Sequence, residues 1–118
     1  MASSSSCSSN DVEASFRKIV TDFEVHNKIL RLDKHHIDRF IKPNLSPGQI
    51  NILASGRYCS GIPTVDVKTG DFFLVTLSSN EYCYVMTGIS SMITKNIFVA
   101  DHEVAFGWHH GALHVHRY

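Results

Sequence analysis

An α+β fold is predicted for this chain of 118 residues by three observations. Helix-capping signals crowd its first half. Period-two apolar alternation, broken by turn residues, fills its second half. A hydrophobic fraction of 43% at this length supports one core and not two. The arrangement expected is three short N-terminal helices packed on a C-terminal antiparallel sheet or small barrel of about five strands. Residues 1–9, Met-Ala-Ser-Ser-Ser-Ser-Cys-Ser-Ser, have almost nothing to bury and read as a disordered Ser-rich tail, leaving 10–118 as a single domain.

The first helix is expected from Asn10, which can cap while Glu13 reaches back. Val12, Phe16, Ile19, Val20 and Phe23 then recur at helical spacing, with an end between Val25 and Ile29. Asp33 caps a second helix running to Ile41, where Lys42-Pro43 stops it because the residue before proline is pushed out of helical angles. Ser46-Pro47-Gly48-Gln49 is a capping box with proline at the first helical position, and Gly56 suits the left-handed stop of this third helix. The stretch Arg57-Tyr58-Cys59-Ser60-Gly61 and Ile62-Pro63 read as loop.

After the Thr69-Gly70 turn, Asp71 to Leu77 alternates as a strand, and Glu81 to Ile89 is its hairpin partner across Ser78-Ser79-Asn80. Asn96 to Ala100, Glu103 to Phe106 and Ala112 to His116 complete the expected strands. Alternation sets Phe72, Leu74 and Thr76 on one face and Phe73, Val75 and Leu77 on the other. Both faces are apolar, so one needs a closed barrel, a partner subunit or a ligand.

Eleven basic and eleven acidic residues cancel. The neutral sum argues against nucleic acid as a partner and favours self-association. Cys7, Cys59 and Cys83 form no framework and no signal peptide is visible, so an intracellular, reducing compartment is expected rather than secretion. No apolar run reaches the roughly 20 residues of a membrane span.

Chemistry, if present, is expected near the C-terminus, where five of the eight histidines fall between Asp101 and Arg117. His114 and His116, two apart on a strand, point to one face. With His109 across the Gly111 turn they form a candidate metal set, or His110 could complete it. The ion would be divalent, such as zinc or manganese, and otherwise no cofactor is expected. Cys59 beside Arg57, and Cys83 between two tyrosines, are the candidate nucleophiles, with His109 or His110 as base. His35 and His36 point about 100° apart on their helix and read as a solvated, pH-responsive face.

Residues 99–115 resemble the histidine box of LRAT-like and NlpC/P60 hydrolases: a strand opened around Asp101, the aromatic Trp108, then His109-His110-Gly111 and a hydrophobic strand. Ala100 stands where that box has glycine. The resemblance implies acyl transfer by a cysteine that precedes the histidine, Cys59 or Cys83. His114-Val115-His116 is similar to the histidine string of HUH nucleases, which implies a metal with Tyr58, Tyr82 or Tyr84 as nucleophile. The reading these observations favour is a non-enzymatic binding or interaction module that acts as an oligomer or in a complex, with a protein partner or its own copy. A Cys-His thiol hydrolase or acyltransferase and a His-ligated metal enzyme are its alternatives.

Overall fold

The computed structural model describes residues 15–118. Its element order is β1 (Ser15–Ile19), α1 (Asp22–Asn27), β2 (Leu30–Leu32), α2 (Lys34–Phe40), a 3-10 turn (Lys42–Asn44), α3 (Pro47–Ala54), β3 (Cys59–Asp66), β4 (Phe72–Ser79), β5 (Tyr84–Thr87), α4 (Ser90–Thr94), β6 (Glu103–His109) and β7 (Ala112–Arg117). The seven strands form one sheet in the order β1-β6-β7-β3-β4-β5-β2. Five neighbouring pairs are antiparallel, and β3 and β7 run parallel.

This corrects the expected architecture. The chain is not three N-terminal helices on a five-stranded antiparallel sheet but a seven-stranded, mixed, nearly closed barrel with four short helices inserted along it. The terminal strands in the sheet order, β1 and β2, do not pair, yet Arg17, Lys18 and Ile19 of one and Arg31 and Leu32 of the other border a common cleft.

The first expected helix is largely strand. From Phe16 to Val20 the burial alternates, Phe16 and Val20 inside and Arg17 and Ile19 outside. Over so short a run, apolar residues at 16, 19 and 20 satisfy a helical and an extended period equally well. The helix starts only at Asp22, capped by Thr21, whose hydroxyl accepts from the Glu24 N–H while Glu24 accepts from the Thr21 N–H. Asn10, Val12, Glu13 and the Ser-rich tail lie outside the described residues. The second and third helices form on the expected caps. Asp33 Oδ1 accepts from the His35 N–H at 2.8 Å, and Ser46 and Gln49 exchange side-chain bonds as a capping box.

Strand β3 is a strand despite Pro63. A bulge lies between Cys59 and Ile62, with Gly61 at φ 75°, and this local break is what makes the segment resemble a loop in sequence. Asn96 to Ala100 is not a strand. Asn96 ends α4 at φ 60°, the Ile97 N–H returns to the Met92 carbonyl at 2.8 Å, and Ile97 and Phe98 are buried as a coil.

One core fills the barrel. Ile62, Val75, Leu77, Met86, Phe106, Leu113 and Val115 of the strands meet Ile37, Ile41, Leu53 and Met92 of the helices. Two buried carboxylates fix its periphery. Asp66 accepts from Arg117 Nε at 3.1 Å, from Arg117 Nη2 at 2.7 Å and from the Thr69 hydroxyl at 2.7 Å, tying β3 to the end of β7. Glu24 accepts from the Arg31 N–H at 2.7 Å and pairs with Lys18 Nζ at 2.8 Å, so a helix side chain latches β1 to β2 where the strands do not. The expectation for Phe72 and Leu74 holds: Val75 and Leu77 point inward, while Phe72 and Leu74 are 61% and 59% exposed on the outer surface. Among the described residues no helix is long and apolar enough to cross a membrane.

Candidate functional site

Two outer surfaces of the barrel concentrate polar chemistry. The first lies on β1, β6 and β7. His110 and Gly111, at φ 51° and 78°, form a two-residue turn of the kind that suits the twist of a hairpin. That turn sets the register Ala105↔His116, Gly107↔His114 and His109↔Ala112. His109, His114 and His116 therefore share the outer face, as their spacing predicts. The His109 and His114 rings meet edge to face at 5.4 Å between centroids, and His110 lies 6.4 Å from His114.

Small residues keep this face open. Ala105 and Gly107 put no bulk beside His116 and His114, and a trough of about 520 Å³ lies among Ser15, Arg17, Ala105, His109, His110, His116 and Tyr118. The Arg17 guanidinium sits 4.8 Å above the Tyr118 ring and 3.3 Å from Glu103 Oε1. His114 Nδ1 lies 3.1 Å from the Ala112 carbonyl, a contact in which the ring nitrogen must donate. Burial, then the neighbouring His109 and His114, holds the His116 pKa below the ordinary histidine value.

Among the described residues no three His, Cys, Asp or Glu side chains are grouped to hold a metal ion.

The candidate thiols do not join the histidines. Cys59 is buried and turned inward, opposite to the imidazoles, and burial pushes its pKa up, which disfavours the thiolate. Cys83 sits in the β4–β5 turn, its N–H donated to Asn80 Oδ1 at 2.8 Å. Strands β7, β3 and β4 intervene between β6 and β5. Among the tyrosines, Tyr58 and Tyr82 are exposed, whereas Tyr84 is buried and donates to Asp38 Oδ1 at 3.0 Å. Burial and the Asp38 charge push the Tyr84 pKa up to about 12.

The second surface lay hidden in the charge total. Seven of the eleven Lys and Arg residues fall between residues 17 and 42, against four carboxylates. One of those four, Glu24, is buried against Lys18. Burial alone would raise its pKa, but the Arg31 N–H, Lys18 and Thr21 more than offset that and hold it low, so it stays ionised. Arg31 projects outward with its guanidinium 4.9 Å above the exposed Phe23 ring, and Lys28 is exposed at the left-handed end of α1. The register runs from Arg31 to Val85 to Ser78, and the next row pairs Thr87 with Thr76, so hydroxyls continue the outer face beyond the arginine. The cleft between β1 and β2, about 260 Å³, has Arg17, Lys18, Arg31 and His36 on its walls, with Asp33 as its carboxylate.

Fold and surfaces together define a small mixed-sheet barrel domain with a histidine-lined trough and, meeting it at Arg17, a basic cleft between β1 and β2. No family model matches the chain, and no curated protein matches it in sequence. Its fold is similar to that of the N-terminal domain of Helicobacter pylori LlaJI.R1, with a TM-score of 0.56 over 86% of this chain and 84% of that one. At 10% identity the likeness is one of fold alone.

Proposed function

We propose that this chain is a non-enzymatic binding module whose cationic face takes the phosphate backbone of a nucleic acid. The observation that carries the reading is a local excess of positive charge: outside the mutually neutralised Lys18–Glu24 pair, six cations lie between residues 17 and 42 against three carboxylates, Asp22, Asp33 and Asp38, and Arg17, Lys28, Arg31 and Arg39 are exposed among them. The neutral total argued against such a partner, but attraction depends on where the charges sit and not on their sum. Phe23 under Arg31 offers an exposed aromatic plane, and Thr76, Ser78 and Thr87 offer hydroxyls of the kind that commonly contact phosphate and sugar. The inward-facing Cys59 and the separation of Cys83 from the histidines weigh against a thiol hydrolase.

Fluorescence anisotropy of labelled duplex and single-stranded DNA, titrated across salt, tests this. Binding is expected at low salt and weakens linearly in log–log form. The double variant Lys28→Ala, Arg31→Ala lowers the slope by about 2, near 0.9 for each lost phosphate contact on a duplex. Absence of binding at about 50 mM salt, or binding that Lys28→Glu and Arg31→Glu leave untouched, refutes the reading.

Self-association is a second reading, favoured by one observation. Phe72 and Leu74 are exposed on β4 beside Val65 and Pro63 of β3, an apolar strip on a chain of zero net charge. A concentration-dependent mass in light scattering that Leu74→Asp abolishes supports it, and a monomer at all concentrations removes it.

A further inference from the structure

The trough on β1, β6 and β7 is distinct from the Arg31 and Phe23 surface and meets it only at Arg17. No acidic residue is among the seven that line it, whereas Arg17, three imidazoles and two hydroxyl side chains are. A volume of about 520 Å³ falls in the range of small-molecule sites. Its floor is backbone and methyl: Ala105 is 2% exposed although it points outward, because the surrounding side chains stand above it. The left-handed His110 and Gly111 turn lifts His110 to one end of the trough, and Tyr118 stacked on Arg17 closes another side.

We propose that this trough binds the tetrahedral oxyanion of a small phosphate or sulfate ester, held by the Arg17 guanidinium and by the His116, His109 and His110 imidazoles. Arg17 supplies the permanent charge and a planar fork of donors suited to an oxyanion. Its present partner Glu103 is a rim contact at 3.3 Å between two solvent-accessible side chains, which an incoming anion can replace at little cost. Tyr118 gives the organic part of the ester an aromatic plane to rest on. The inference shares Arg17 with the nucleic-acid reading but rests on the β6 and β7 histidines, which that reading does not use, so His116→Gln tests it separately from Lys28→Ala and Arg31→Ala.

Binding of this kind is linked to protons. The groups near His116 are His109 and His110 of the hairpin, His114 and Arg117 on its own strand, Arg17 of β1 with its partner Glu103 of β6, and Tyr118 and Lys68, which with Arg117 border a neighbouring hollow on the other side of His116. Apart from Glu103 these are cationic or neutral, so an empty trough resists a proton on His116 and an anion removes that resistance. Affinity for a probe of fixed charge therefore rises as pH falls, by up to about tenfold per unit for each proton taken up.

The test is histidine-ring NMR of the whole chain titrated with phenyl phosphate and, separately, phenyl sulfate. Saturable shifts of the His116 and His109 signals are expected at millimolar probe. They are tighter at about pH 5.5 than at about pH 7.5 for phenyl sulfate, whose charge is constant over that range. Arg17→Gln weakens binding by about tenfold, the loss of one hydrogen bond to a charged group. His116→Gln flattens the pH dependence, and an unchanged thermal melt shows that it still folds. Shifts with phenyl phosphate alone identify the source as a phosphate ester, and shifts with both identify any oxyanion ester. No saturable shift with either probe, or shifts that survive both substitutions, overturns the proposal.

Discussion

Glu24→Gln is the most informative perturbation of the fold, because one carboxylate does the work of a missing strand pair. Oε2 accepts from the Arg31 N–H at 2.7 Å and meets Lys18 Nζ at 2.8 Å, and Oε1 accepts from the N–H and the hydroxyl of Thr21, both at 2.9 Å. The amide keeps one acceptor oxygen and turns a donor toward partners that are themselves donors. At least one buried donor is then orphaned and Lys18 loses its counter-charge. Breaking a buried pair on one side costs about 3–5 kcal/mol, and Lys18, whose side chain is 16% exposed, can partly reach water, so the lower end, about 3 kcal/mol, is expected. Urea unfolding at neutral pH measures it. The Glu24 pKa is lower folded than its ordinary 4.5, so its contribution is complete above that value and fades as pH falls through the folded value. The gap between the two proteins therefore narrows on acidification. A cost below about 0.5 kcal/mol at neutral pH, within the range of ordinary surface changes, refutes the latch, as does a gap that does not change with pH.

Two further outcomes follow from the geometry. Gly111→Ala destabilises by about 1 kcal/mol from the left-handed φ of 78° alone, because nothing lies within 4 Å of the added carbon, and a thermal melt that does not move contradicts this. In the native chain a thiol reagent modifies Cys83 well before Cys59, which is buried with a raised pKa, and peptide mass mapping with and without urea reads the order.

The elements that sequence specified well are those whose signals are local. Ser46-Pro47-Gly48-Gln49 and Asp33 cap helices because the bonds they make lie within three residues. The β6–β7 hairpin and the outward direction of His109, His114 and His116 follow from alternation and one turn. Elsewhere two periods compete. Phe16 to Val20 fits both a helix and a strand, and it is the β6 edge, with the register Phe16↔Phe106, that decides. Thr21 and Glu24 form a capping box as clear as the one at Ser46, and weighting it would have ended the strand and started the helix correctly. Leu30–Leu32 is too short to signal at all, and β3 carries a bulge and a proline.

The candidate site was legible as a list of residues and not as a constellation. Sequence places three histidines on one face but says nothing of ring orientation, which the structure supplies as the edge-to-face contact of His109 with His114. Arg17 completes that trough from β1, far away in sequence and paired with Ala105, so no local pattern could name it, while Ala105 and Tyr118 lie near the histidines but carry no signal of their own. The cationic face failed to show for a different reason. A sum over the chain gives Glu24 the same weight as an exposed carboxylate, yet Glu24 is spent on Lys18 inside the barrel and contributes little outside it. Lys18 is neutralised with it, so the pair cancels and residues 17–42 keep an excess of three positive charges, which the acidic residues elsewhere in the chain hide in the neutral total.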